Sequence, residues 1–277
     1  MSNAQDEPRV DYGLRLYHEV FKLEALHFGL WEPGEPLTLE ALRGAQRRYT
    51  DRLLDMFPDG ITRVLDAGCG SGATSAILAE RGLAVEALTP DAYQIKVFRQ
   101  RRGDAIPVHQ ARLQDFRPTS PYDLLLMSES AQYIPCAELF EAARRVLKPG
   151  GWLVMSDYFR LQDSAYYKTC HVHAQFLDRA RDAGFTIEAE EDVTERALPT
   201  LQLGREVYRG YVLPILEISA GFLQQKAPLL TRGVQVVLRG KLRKLRWYLY
   251  DKSEEKLDHE RFARELRYMF YRFRLEP

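Results

Sequence analysis

Net charge is what the chain most plainly lacks: its 277 residues carry 39 Lys and Arg against 39 Asp and Glu. That balance excludes a whole-molecule field that draws in nucleic acid, and leaves only local patches. Cysteine is scarce too. Cys69, Cys136 and Cys170 show no paired metal-ligand spacing and form no disulfide framework, so no metal is expected and a reducing, cytoplasmic setting fits. The polar start MSNAQDEPRV lacks the apolar segment of a signal peptide, and no run approaches the roughly 20 apolar residues that span a bilayer. Stable membrane insertion is therefore not expected. No internal repeat or low-complexity linker marks off a second domain.

What is present suffices for one substantial core, with 45% of residues apolar. Periodicity predicts a helix over 39–57, closed by Pro58, and further helices over 73–81, 92–101, 136–147 and 173–183. Short apolar strands are expected at 63–67, 84–88, 106–109, 122–127, 152–155 and 185–189. Strands of this kind with helical spacers argue for an α/β fold, a parallel sheet covered on both faces. Met269, Tyr271, Phe273 and Leu275 alternate with more polar residues, which predicts a late strand, antiparallel at the end of the sheet. One enlarged domain in three parts follows: an N-terminal aromatic cover (1–58), a core (59–190), and a cover insert with the final strand (191–277).

VLDAGCGSG places Gly68, Gly70 and Gly72 after a strand and before a helix. Glycine permits tight turns and close approach of a ligand to backbone, so a nucleotide-like cofactor is expected there. A dinucleotide enzyme is the rival reading, but its fingerprint prefers G-x-G-x-x-G and an acidic end to the second strand. This block instead resembles motif I of the class I S-adenosylmethionine-dependent methyltransferases, and RVLKPGGWLVMSD (145–157) strengthens the likeness. The resemblance covers roughly 49–184. It implies a Rossmann-like, mostly parallel seven-stranded sheet and S-adenosyl-L-methionine as cofactor, with S-adenosyl-L-homocysteine as product.

The resemblance also implies site residues. Asp66, Gly68, Cys69 and Gly70 would hold the methionine part of the cofactor. ALTPDAYQ resembles the second-strand end of cyclopropane-synthase and tocopherol-type methyltransferases, bringing Thr89 and Gln94 to the ribose, while Asp91 begins a helix. Leu113 and Gln114 would wall the adenine, although Arg112 stands where the pattern has an acidic residue. That departure motivates a different class of reading, a scaffold that keeps the fold without catalysis. SESAQYIP supplies Ser128 and Glu129 beside the methyl group, and Tyr133 beside the acceptor.

HFGLW (27–31) resembles the H-[FY]-G-x-W stretch before the cofactor domain of the same small-molecule enzymes. On that resemblance Trp31 is a cofactor contact and His27 an acceptor contact; the alternative is a plug of core side chains, with His27 satisfying a backbone acceptor. Tyr17 is the preferred pocket-facing tyrosine of the preface. Tyr158, Tyr167 and His171 lie after the fifth strand, where His171 could accept a proton with help from Glu129 or a tyrosine. The candidate catalytic set is thus His171, Glu129 and Tyr17. Tyr208 and Tyr211 either line the acceptor pocket or pack the cover. RGKLRKLRWYLY (239–250) has the basic and aromatic groups of a nucleic-acid or membrane-interface segment, but DKSEEKLDHE dilutes its charge and favours a solvated helix face.

The expected activity is in-line transfer of the S-adenosylmethionine methyl to C, O or N of a small hydrophobic or aromatic natural product. The alternative acceptor is a lipid or prenylated ring, on a cyclopropane-synthase-like architecture. No nucleic-acid partner is expected, and a homodimer is left open.

Overall fold

Apolar runs such as Arg63–Ala67 and Tyr122–Ser128 become strands that are buried along most of their length, as in a sheet covered from both sides. The computed structural model describes residues 12–164, 166–229 and 238–277. Helix α1 (Tyr12–Arg15) runs into a π-helical turn, Leu16–Val20, and an irregular strap leads to α2 (Leu39–Asp55). The Thr38 hydroxyl accepts the Ala41 N–H to start α2, which buries Leu42, Ala45, Tyr49, Leu53 and Leu54.

The strands are β1 (Arg63–Ala67), β2 (Ala84–Thr89), β3 (Val108–Gln110), β4 (Tyr122–Ser128), β5 (Leu147–Arg160), β6 (Phe185–Asp192) and β7 (Leu266–Leu275). They lie in the order β3-β2-β1-β4-β5-β7-β6. The first five pair in parallel, joined by α3 (Ala73–Glu80), α4 (Ala92–Arg102) and α5 (Cys136–Val146), while α6 (His173–Asp182) precedes β6. The order reverses beside β1, which is where open α/β sheets bind ligands.

Two expectations need correction. β5 extends well beyond 152–155 because it pairs with β7 from Trp152↔Arg274 to Arg160↔Leu266. β7 is antiparallel, as expected, but lies between β5 and β6 rather than at the edge. Its two faces are consequently both buried. Met269, Tyr271, Phe273 and Leu275 pack with Phe140 and Phe176, while Leu266, Tyr268 and Phe270 pack on the opposite side with Tyr49 and Leu53. Tyr268 and Phe270 are core residues despite the alternation that marked them as outward.

After β6, α7 (Thr194–Val207) lays Ala197, Leu198 and Leu201 on this second cluster. A π-helical turn, Tyr208–Val212, carries the chain into α8 (Leu213–Lys226), and a helix over Arg239–Trp247 follows. Among the described residues no helix is long and apolar enough to cross a membrane.

Candidate active site

Gly68, Gly70 and Gly72 all have left-handed backbone, with φ of 88°, 55° and 79°. The outer two are also sterically required. A Cβ on Gly68 would lie 2.3 Å from that of Ser130, and one on Gly72 would lie 2.4 Å from Phe98 Cε2. Gly68 thus lets the turns after β1 and β4 touch, and Gly72 seats the start of α3 on α4. Beside Gly70 the nearest such atom is Leu26 Cδ1 at 3.6 Å. The strap therefore crosses over the glycine turn, fixed by the Ser71 hydroxyl donating to Glu24 O at 2.6 Å.

A cavity of about 560 Å³ opens at the carboxyl ends of β1, β2 and β4, lined by the turn and the strap. Asp66, Gly68, Cys69, Gly70, Thr89, Gln94, Leu113, Gln114, Ser128 and Glu129 all reach its wall, together with Tyr17, His27 and Tyr133. Asp66 is buried and accepts the Ser75 hydroxyl at 2.5 Å. Burial pushes its carboxyl up to about 6, a cost that a cation beside it would offset. An amino-acid ammonium fits that need, and the glycine backbone leaves room for its carbon chain, so these residues suit the methionine portion of S-adenosylmethionine. Thr89 donates to Gln94 Oε1 at 2.7 Å, and Asp91 caps α4 through the Gln94 N–H at 2.8 Å. Arg112 is held by Asp115 at 2.8 Å. Its charge is thereby paired next to the wall, whose Gln114 carbonyl accepts Arg145 at 2.8 Å.

Glu129 joins three parts of the molecule. It has φ 51°, unusual for a residue with a Cβ, and one carboxylate oxygen accepts both the Phe28 N–H at 2.7 Å and the Tyr268 hydroxyl. Tyr49 lies 3.2 Å from the Tyr268 oxygen and also bonds Ser128 and Ser156. Burial raises the Glu129 carboxyl to about 7, against the lowering effect of its two donors. Behind it, buried Asp157 accepts the N–H groups of Gln132 and Tyr158, each at 2.9 Å, and burial pushes it up to about 8. Asp157 fixes the turn that carries Tyr133 to the cavity.

HFGLW is chiefly a clamp. The His27 ring stacks on Tyr49 with centroids 3.9 Å apart. Its Nδ1 faces Phe28 O at 2.7 Å and so carries the proton, and burial lowers its pKa to about 4. His27 touches the cavity as a neutral, internally bonded ring. Gly29 lies so close to α2 that a Cβ there would meet the Ala45 Cβ at 2.5 Å. Trp31 is 2% exposed, packs with Leu42, Ala45 and Leu203, and donates to Thr200 at 2.9 Å. It is absent from the cavity wall, which corrects its assignment as a cofactor contact: pinning α2 to α7 takes it away from the glycine turn.

The tyrosines and His171 divide similarly. Tyr17 and Tyr133, 42% and 71% exposed, stand at the cavity wall. Tyr158 instead joins Phe28, Phe262 and Tyr268 in an aromatic cluster, with Tyr167 against Phe262. Tyr208 donates to Leu249 O at 2.6 Å, and Tyr211 is exposed. None of these four lines the cavity. His171 does not line it either; its Nε2 lies 3.0 Å from Ala131 O, so that nitrogen is a donor and cannot take a substrate proton. The base role expected of His171 has no geometric support.

Four participants escaped the sequence reading. Tyr268 is missed because a strand buried on both faces hides its alternation. Asp157 had a visible signal, a carboxylate in the otherwise apolar strand WLVMSDYF. Glu24 and Leu26 act through backbone and one methyl, which no motif records.

A Rossmann-like sheet, a glycine turn at its switch point and a cradle that suits an amino-acid cofactor are what the resemblance to class I methyltransferases implies. Residues 65–155 match the methyltransferase domain family. Over those residues the chain is similar to the class I S-adenosylmethionine-dependent methyltransferases, and S-adenosylmethionine is its cofactor. It is 26% identical over 210 residues to a 27-O-demethylrifamycin SV methyltransferase of Amycolatopsis mediterranei (strain S699), covering 68% of this chain and 76% of that one. It is 31% identical over 163 residues to a ubiquinone biosynthesis O-methyltransferase of Xylella fastidiosa (strain 9a5c), covering 56% of this chain and 64%, under two thirds, of that one. The crystal structure of the cyclase SpnF superposes with a TM-score of 0.69 at 20% identity, over 96% of this chain and 93% of that one. That last likeness concerns the fold alone, and fold does not select chemistry.

Proposed function

We propose that the chain methylates a hydroxyl oxygen on a hydrophobic ring whose apolar tail remains outside the cavity, as in a prenylated phenol or quinol. The observation that carries this reading is Glu129, a half-buried residue whose carboxylate stands in the cavity wall with its pKa raised to about 7. When bound, S-adenosylmethionine would supply a methyl carbon already activated by positive sulfur, the methyl–sulfur bond breaking to leave neutral S-adenosylhomocysteine, so the protein has to align the acceptor and remove its proton. Glu129 in its ionised form accepts that hydroxyl proton as the oxygen becomes an ether. Phe28 N–H and Tyr268 hold the carboxylate still while it does so.

Size favours a small reacting head. The cavity, about 560 Å³, lies within the range of ~300–1,000 Å³ typical for one ligand, and the cofactor claims much of it. A long acceptor therefore inserts only its ring, past Tyr17 and Tyr133. The relatives' names agree with oxygen as the receiving atom, since the rifamycin and ubiquinone enzymes are both named for O-methylation. In this reading residues 1–58 act as the cover and 191–277 as the acceptor-side insert. Incubation with methyl-labelled S-adenosylmethionine and a catechol, with and without a prenyl tail, tests it. The expected product is a labelled ether formed with higher kcat/KM on the tailed ring; label on carbon or nitrogen, or no transfer to either ring, would overturn it.

A further inference from the structure

An apolar stripe runs along α8 with nothing from the described residues covering it. Ile215, Ile218 and Phe222 recur at the spacing of one helix face and are 60%, 71% and 58% exposed, and Tyr211 in the turn before the helix is 67% exposed. Helix α8 buries none of its residues. Single exposed apolar side chains are ordinary, whereas an unbroken stripe marks an interaction surface.

The helix Arg239–Trp247 brings a second observation to the same unit. Arg239, Lys241, Arg243, Lys244 and Arg246 are all exposed, with no acidic residue among them. Among the described residues none of the five is in an ion pair; the nearby acid Glu254 pairs instead with Arg205 and Arg209. Trp247 and Tyr248, about half exposed, close the helix. Tyr250 donates to Glu217 at 2.6 Å and Tyr208 to Leu249 O at 2.6 Å, so the cationic segment is tied to the apolar one.

We propose that this unit docks the protein peripherally on an anionic lipid surface. Unpaired cations complement lipid phosphates, an apolar stripe enters the acyl boundary, and Trp and Tyr favour the headgroup level between them. A second copy of the chain is the weaker occupant. A two-fold contact sets each patch against itself and brings its like charges together, which costs energy where lipid phosphate would repay it. Docking requires neither cofactor nor acceptor, so its test stands apart from the test of methyl transfer.

The experiment is co-sedimentation of the full chain with vesicles of phosphatidylcholine alone or mixed with phosphatidylglycerol, backed by light scattering of the protein without lipid. Binding is expected to the anionic vesicles only, weakening as salt is raised. The triple substitution Lys241→Ala, Arg243→Ala, Lys244→Ala should lower partitioning about 100-fold. Ile218→Asp with Phe222→Asp should abolish it with an unchanged melting curve, because both side chains already face solvent. Equal binding to the two vesicle types, or no binding, would overturn the proposal; so would a lipid-free dimer that the Ile218→Asp, Phe222→Asp variant dissolves.

Discussion

The strap His27–Trp31 and helix α8 are both rich in large apolar side chains, yet one is enclosed and the other stands in solvent. Four consecutive amides of the strap find partners outside it: Phe28 on Glu129, Leu30 on Ala45, and Gly29 and Trp31 on Thr200 and Arg196 of α7. The amides of α8 bond within the helix, and none of its residues is buried. A segment without secondary structure must satisfy its backbone elsewhere, and doing so pulls its side chains into the core. Apolar composition alone does not decide between these outcomes.

The largest effect that would sharpen the contrast is expected from Trp31→Ala, about 3–5 kcal/mol of stability by denaturant unfolding. A loss near zero would show that the clamp is not closed in solution. Gly29→Ala should cost about 1–3 kcal/mol, since the new methyl has no room against Ala45.

The carboxyls around the strap predict a pH dependence. Glu129 at about 7, Asp66 at about 6 and Asp157 at about 8 all lie above the ordinary carboxylate range in the folded state. Their contribution to stability is present below the unfolded pKa and is lost as pH rises through these folded values. A fall of roughly 1 kcal/mol or more between about pH 6 and about pH 8 is expected by denaturant titration, smaller in Glu129→Gln. Ile218→Ser on α8 completes the series at the small end, within about 0.5 kcal/mol of the parent.

Much of the fold was legible. The strands 63–67, 84–88 and 122–127 and the glycine turn follow from apolar runs bounded by turn residues, and the structure places them within a residue or so. The cavity wall was legible wherever a motif carries backbone to it, as at Gly68–Gly70, Thr89, Gln94 and Ser128–Glu129. Side-chain direction was not. Trp31 and His171 sit in suggestive contexts, but Thr200 and the Ala131 carbonyl, both distant in sequence, turn them inward. Tyr268 reaches Glu129 across 139 positions, from a strand whose burial on both faces depends on β6 lying outside it.

The central claim is that Glu129 removes the acceptor proton. Its most direct test is the pH profile of kcat/KM for methyl transfer in the parent and in Glu129→Gln, whose amide oxygen can still accept from Phe28 and Tyr268. Parent turnover should rise through about pH 7 as the carboxyl ionises. The variant should bind cofactor normally, turn over about 10²–10⁴-fold more slowly and lose that inflection. A variant with the parent's rate and the parent's profile would contradict the account.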